Sequence, residues 1–499
     1  MAVTETVDIL IIGSGMGGAT SAAGLAPTGA RILILERGAR LRDSADARDA
    51  RAIFQRGVFR PQETWLDGSG QAFNPGNYYY VGGNSKLYGA VLLRYRAEDF
   101  APIAYRDGAT PGWPFGYDEL EPWYGRAEKL YNVRGAPGFD PTEPKRSAPY
   151  PFGPVPDEPA IAKVRERLKR AGLHPFPLPL GIDLEKWLAR AKTPWDAFPD
   201  TGTGKMDAET CGLSKALAYG NVELRENARV ARLLLDPEGK RVSGVEVLID
   251  GERRTILAGL VILAAGAVNS AALLLSSREG GVANRSDAVG RHFMNHNCSA
   301  VLAIDPRSVN DSVYQKTLGV NDFYLHDGRG GPPLGNIQLL GRVTGPILKS
   351  SMPMAPEWAL GLMSRRSVDW YAMSEDLPNP ESRVTVDGGQ IRLDWKRSNL
   401  SAHDGLVKTF KDRLRAAGYP IVLSKPFDRR TPSHQCGTVR IGSDPATSPL
   451  DPYCRAWDHP NLFVVDASFL PTSAAVNPSL TIAAQALRVA DHIAKTDLR

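Results

Sequence analysis

Residues 7–38 open on Val7-Asp8-Ile9-Leu10-Ile11-Ile12-Gly13-Ser14-Gly15-Met16-Gly17-Gly18 and close on Ile32-Leu33-Ile34-Leu35-Glu36-Arg37-Gly38. Val7 to Ile12 is the short apolar run expected of a fully buried strand, and a helix should follow the glycines at once. Gly13, Gly15 and Gly18 keep the G-x-G-x-x-G spacing: one glycine for a tight turn, one for close approach of backbone to a pyrophosphate, one for packing of helix on strand. Free amides at the start of that helix, with the helix dipole, favour phosphate. A second apolar run ends at Glu36, where a carboxylate accepts hydrogen bonds from an adenosine ribose and disfavours a 2′-phosphate. The stretch predicts strand, turn, helix and strand around a dinucleotide, with FAD and NAD both open.

At 499 residues the chain exceeds what one core usually holds, about 250–300 residues, so two domains or one large composite are expected. The net charge of +5 is spread without Lys/Arg runs, so nucleic acid is not implied. Cys211, Cys298, Cys436 and Cys454 are far apart and include no C-x-x-C pair, which argues against a metal site or a disulfide framework. The buried strand begins too early for a signal peptide, and no apolar run approaches the roughly 18 residues of a membrane span. Cytoplasm is the expected location.

Outward from the fingerprint, the Arg-rich stretch Leu41 to Trp65 predicts a solvated connecting helix. Tyr78 to Ala90 is dense in glycine and aromatics, implying a backbone that passes close to something flat or to another backbone. Asp118 and Glu121 have the spacing of a capping box, ahead of a helix burying Leu120, Trp123, Tyr124, Ala127, Leu130 and Tyr131. Residues 136–158 read as a long loop, and Ile161, Val164 and Leu168 as a helix stopped at Gly172.

Val222–Leu224, Arg229–Leu235, Val242–Ile249 and Thr255–Ala258 predict a β-meander feeding a further buried strand, Leu260–Leu263, and a helix reaching Ser276. The nucleotide fold is therefore discontinuous. Residues 300–400 read as short strands and loops, with Asn336 and Gln338 on one strand and a hairpin at Gly388-Gly389, before an amphipathic helix at 401–418. Leu462 to Val465 is a buried strand carrying Asp466, and Asn477-Pro478 open the last helix as N-cap and N1. The fold class is α/β: a discontinuous Rossmann-like dinucleotide-binding domain (1–100, 200–299, 430–499), FAD-binding by the family resemblance that its motifs carry, plus a sheet-containing α+β substrate-binding domain (101–199, 300–429).

The fingerprint with Glu36, the Gly82-Gly83-Asn84-Ser85 loop, Trp113-Pro114, Tyr117-Asp118-Glu119-Leu120, Ala264-Ala265-Gly266, Val289-Gly290-Arg291-His292-Phe293-Met294 and the His434 and Asn477 segments together resemble glucose-methanol-choline (GMC) flavoprotein oxidoreductases. The Asn-Pro-x-Leu-Thr segment at Asn477 is similar to the branch of pyranose oxidases and glycoside 3-oxidases or 3-dehydrogenases.

The resemblance implies FAD and oxidation of a sugar or glycoside hydroxyl, such as C3, with hydride going to flavin N5 and the proton to His434. It places His434 and Asn477 as catalytic. FAD would be bound by Gly13, Ser14, Gly15, Met16, Gly17, Gly18, Glu36, Arg37, Gly83, Asn84, Ser85, Tyr88, Gly89, Ala90, Val230, Ala265, Asp466, Asn477, Pro478 and Ser479. Leu87 stands where pyranose oxidases attach FAD through a histidine, so non-covalent FAD follows.

Elementary chemistry agrees with these roles: a largely neutral histidine can take a hydroxyl proton, and an asparagine can orient the same hydroxyl. Gln338, Asn336 and Gln435 are candidates for holding sugar hydroxyls. A choline- or aliphatic-alcohol dehydrogenase of the same family and an NAD-dependent reductase stay open as alternatives, as do O2 and another electron acceptor.

Overall fold

A computed structural model describes residues 4–428, 431 and 434–498. The apolar run at Val7 sits in the strand Thr4–Ile12, where Ile9, Leu10 and Ile11 are fully buried, each such burial worth about 1.5–3 kcal/mol. This strand lies between Ile32–Leu35 and Glu252–Leu263, parallel to both. The sheet runs Val222–Arg225, Ile32–Leu35, Thr4–Ile12, Glu252–Leu263, Val242–Ile249, Ala228–Leu235, and Leu462–Val464 pairs parallel with the end of Glu252–Leu263.

The meander differs from its sequence reading at both ends. Val222–Arg225 leaves it to pair parallel with Ile32–Leu35. At the other end Thr255–Ala258 and Leu260–Leu263 form one strand, because the N-terminal strand pairs along both halves, from Thr4 opposite Thr255 to Ile12 opposite Leu263, and carries the pairing across Gly259.

The fingerprint helix Met16–Leu25 packs against the last helix, Ser479–Thr496, so closely that a Cβ on Gly24 would stand 2.7 Å from that of Ala490.

A second, antiparallel sheet has the order Ile421–Pro426, Asn297–Ile304, Ser367–Ser374, Asn336–Leu339, Leu318–Val320, Phe176–Pro177. The helices Pro159–Arg170 and Leu400–Ala416 share its core through Ile161, Val164, Leu168, Leu406, Phe410 and Leu414. The expected hairpin at Gly388-Gly389 is present, but in a third sheet, where Gln390–Asp394 pairs parallel with Trp65–Asp67. The domain division remains a proposal: that third sheet joins segments assigned to different domains, the strand Asn297–Ile304 passes through 299/300, and the boundary at 429/430 lies outside the described residues.

Other local expectations are corrected. Asp118 and Glu121 form no capping box; the helix Tyr117–Leu130 has Gly116 as N-cap, and Glu121 is drawn instead to Arg94 Nη1 at 2.9 Å and Ser147. Leu41 to Trp65 holds a 3₁₀ turn, Ala45–Arg48, and a π turn, Arg51–Arg56, rather than a continuous helix, its arginines paired with nearby acids such as Asp43, Asp46 and Asp49. Short helices at Leu184–Arg190, Gly345–Ser351 and Glu357–Ser364 lie where none was predicted. Among the described residues no helix is long and apolar enough to cross a membrane.

Candidate active site

A cavity of about 1450 Å³ runs between the sheets, with Gly13 to Gly17 and Glu36 on its wall together with His434 and Asn477. At the fingerprint the wall is backbone. Gly13 has φ +101°, a conformation L side chains rarely adopt, and a Cβ on Gly17 would stand 1.7 Å from the carbonyl oxygen of Val465. A Cβ on Gly15, by contrast, meets no protein atom within 4 Å. The first four amides of the helix that follows have no partner within it, which suits a phosphate. Glu36 is buried on the cavity wall, accepts from Ser14 N at 3.1 Å, Ser14 Oγ at 2.7 Å and Gly38 N at 2.9 Å, and has its pKa raised by burial. Ser14 Oγ also takes the amide of Gly82 at 3.0 Å, tying the fingerprint to the second glycine loop. These residues fit a dinucleotide such as FAD.

Ser14, Met16, Arg37, Gly83, Asn84, Ser85, Tyr88, Gly89, Val230, Ala265, Asp466, Pro478 and Ser479 also line this cavity, as does Leu87. Asp466 braces the wall, taking Gly266 N at 3.0 Å and Ser270 Oγ at 2.5 Å. Two of the predicted cofactor residues do not reach the cavity. Gly18 instead lets helix meet strand, since a Cβ there would lie 2.0 Å from Gly13 O, and Ala90 is turned into the core, with φ +56°. Lys86, inside the glycine loop, is buried beneath it against Asp207 and Glu209, both at 2.8 Å.

His434 and Asn477 meet, His434 Nε2 lying 3.2 Å from Asn477 Nδ2. The backbone of His434 has φ +76°, an outlier that costs about 1–3 kcal/mol and marks a position held by its surroundings. Burial, then electrostatic repulsion from His296 and Lys316, hold its pKa well below that of a free imidazole, so the ring is neutral at pH 7. Asn477 is not the N-cap expected from sequence: the last helix starts one residue later, behind Pro478, because the Asn477 carboxamide is engaged by His434 and by Gln338 Nε2 at 2.9 Å. The loop carrying it is pinned from behind, where Ala474 N reaches Glu375 at 2.8 Å and Ala475 N reaches Tyr324 Oη at 3.3 Å.

Gln338 and Asn336 are fully buried and do not line the cavity; they reach it through Asn477. Gln435 does line it, accepting from Asn77 Nδ2 at 3.3 Å. Sequence reasoning missed His296, whose Nδ1 is 2.8 Å from His434 Nδ1, and the ion pair of Lys316 and Asp196 at 2.6 Å on the cavity wall. His296 lies two residues beyond the Val289–Met294 motif, a signal that was available; Lys316 and Asp196 stand in no motif. No group of three or more His, Cys, Asp or Glu side chains among the described residues is placed to hold a metal.

Residues 198–298 and 390–486 match the family of GMC oxidoreductases, and residues 11–80 match an NAD(P)-binding Rossmann-like domain. The chain is 30% identical to 6'''-hydroxyparomomycin C oxidase of Streptomyces lividus, over 98% of this chain and 92% of that one. It is 30% identical to C-glycoside 3-oxidase of Microbacterium trichothecenolyticum over a shorter region, 55% of this chain and 54% of the relative. The crystal structure of a pyridoxine 4-oxidase from Mesorbium loti has the same fold, with a TM-score of 0.67 at 21% identity, covering 97% of this chain and 99% of that one.

Proposed function

The chain belongs to the GMC oxidoreductase family, and on that premise we propose that it oxidises a hydroxyl of a sugar or glycoside, His434 taking the hydroxyl proton. One observation carries the reading: a neutral imidazole and a carboxamide, 3.2 Å apart, stand on the wall of the cavity that also holds the glycine cradle and Glu36. The flavin that the family and the cradle imply, when bound, supplies the acceptor for the hydride leaving carbon. His434 Nε2 is the base for the hydroxyl proton, a role worth about 10²–10⁴ in rate. Asn477 orients the same oxygen, and Gln435 contributes a polar group to the wall beside them.

A relative's name, C-glycoside 3-oxidase, supports the choice of C3. The wall also carries Leu302, Leu340, Val343, Ile347, Leu348 and Phe427, an apolar surface suited to an aglycone rather than to a second sugar. Leu87 on the wall, in place of an attaching histidine, supports non-covalent FAD.

The test is anaerobic titration of the yellow protein with glycosides, followed by identification of the product. Bleaching with a 3-keto glycoside as product is the expected result; an aldehyde would move the reaction to a primary hydroxyl, and bleaching by simple alcohols alone would overturn the sugar reading. Acid precipitation should release FAD into the supernatant.

A further inference from the structure

We infer that two polar chains converge on His434 and hold its ring in the one tautomer whose Nε2 is unprotonated, with His296 as the positioning residue. This rests on the reading of His434 as the base.

The first chain starts at backbone. His296 Nε2 lies 2.9 Å from Ser473 O and 2.7 Å from Ala474 O. Carbonyl oxygens only accept, so this nitrogen carries a proton. The His296 ring is buried and its pKa is pulled down to about 4, so at pH 7 that proton is its only one and Nδ1 is a lone pair. His434 Nδ1 faces it at 2.8 Å and must therefore be the donor. In a neutral ring the remaining nitrogen, Nε2, is bare.

The second chain starts at the ion pair of buried Arg96 with Asp140 and reaches the other nitrogen of the same ring. Arg96 holds the Asp140 carboxylate, which accepts Asn321 Nδ2 at 2.8 Å. Asn321 Oδ1 then accepts Asn336 Nδ2 at 2.7 Å, and Asn336 Oδ1 accepts Gln338 Nε2 at 3.0 Å. Gln338 Nε2 also donates to Asn477 Oδ1 at 2.9 Å, which leaves Asn477 Nδ2 to donate to His434 Nε2 at 3.2 Å. A carboxylate cannot donate, so the direction of every amide in the series follows from Asp140. The last one presents N–H to the imidazole and calls for a lone pair there.

The two chains share no residue before His434, yet they demand the same protonation state. The opposite tautomer would set lone pair against lone pair at His296 and N–H against N–H at Asn477. A hydroxyl arriving at this site meets a base already in the form that can take its proton.

Long-range ¹H–¹⁵N spectra of the FAD-loaded enzyme labelled with ¹⁵N-histidine test this, His434→Ala assigning the signals. The expected spectrum has a protonated Nδ1 and a bare Nε2 on His434; a proton on Nε2 in the wild-type enzyme would overturn the inference. In kinetics, His296→Leu should lower kcat about 10- to 100-fold with little change in KM, and His296→Asn, whose Oδ1 can stand in for Nδ1, should recover most of it. A His296→Leu enzyme that turns over like wild type while His434→Ala is inactive would contradict the inference. Full activity of His434→Ala would instead refute the base reading alone, and the spectrum would still decide the tautomer.

Discussion

The two ends of the cavity are made of different material. At the fingerprint, backbone meets backbone: Gly13 and Gly17 leave no room for a side chain, and Glu36 serves chiefly to hold the loop in shape. At His434 and Asn477, buried side-chain amides and imidazoles drawn from distant parts of the chain do the positioning, and each depends on the one behind it. The first end tolerates almost no substitution without loss of binding; the second can lose catalysis while cofactor binding survives. That separation is what mutations should expose.

The largest effect belongs to Gly17→Val, whose side chain would start 1.7 Å from Val465 O. It should yield no flavin-loaded soluble protein, measured as flavin per chain after purification. Next, His434→Ala should keep its flavin spectrum and lose about 10²–10⁴ in kcat; loss of flavin from this variant would blur the division between the two ends. Gln338→Leu removes the donor to Asn477 Oδ1, and the resulting misplacement should cost about 10² in kcat with flavin content unchanged. Glu36→Gln leaves the fold intact but weakens the bonds to Ser14 and Gly38, so FAD affinity should fall about tenfold, or about 1.4 kcal/mol, with kcat preserved.

The smallest effect is in the pH profile. Activity needs neutral His434 and is lost as pH falls through its pKa; because burial lowers that pKa, the acid limb of kcat/KM should lie well below about 6.5, and a limb at or above that value would contradict the environment described for the ring.

The same difference in material governs what could be read from sequence. The fingerprint is local: strand, turn, helix and Glu36 follow within some thirty residues, and each glycine has a steric reason visible in the spacing. Leu462–Val464 and the last helix were legible for the same reason, as an apolar run and a helical repeat. His434 and Asn477 came from resemblance, since neither stands out by spacing. Gln338 and Asn336 read from sequence as polar residues on a strand, but their burial behind Asn477 depends on pairing between Asn336–Leu339 and Ser367–Ser374, which no local pattern encodes. Asn477 misled as an N-cap because the same carboxamide suits a helix start and a tertiary contact equally well, and here the tertiary contacts prevail. The Asp118 and Glu121 pair failed in the same way, Glu121 being taken by Arg94.

The most direct measurement is the rate of anaerobic flavin bleaching by an aryl glycoside, in wild type and in His434→Ala at equal flavin content. The account predicts fast bleaching in the wild type, a loss of about 10² or more in the variant, and a keto glycoside as product. Equal rates in the two proteins, or no bleaching by any glycoside where a simple alcohol succeeds, would contradict it.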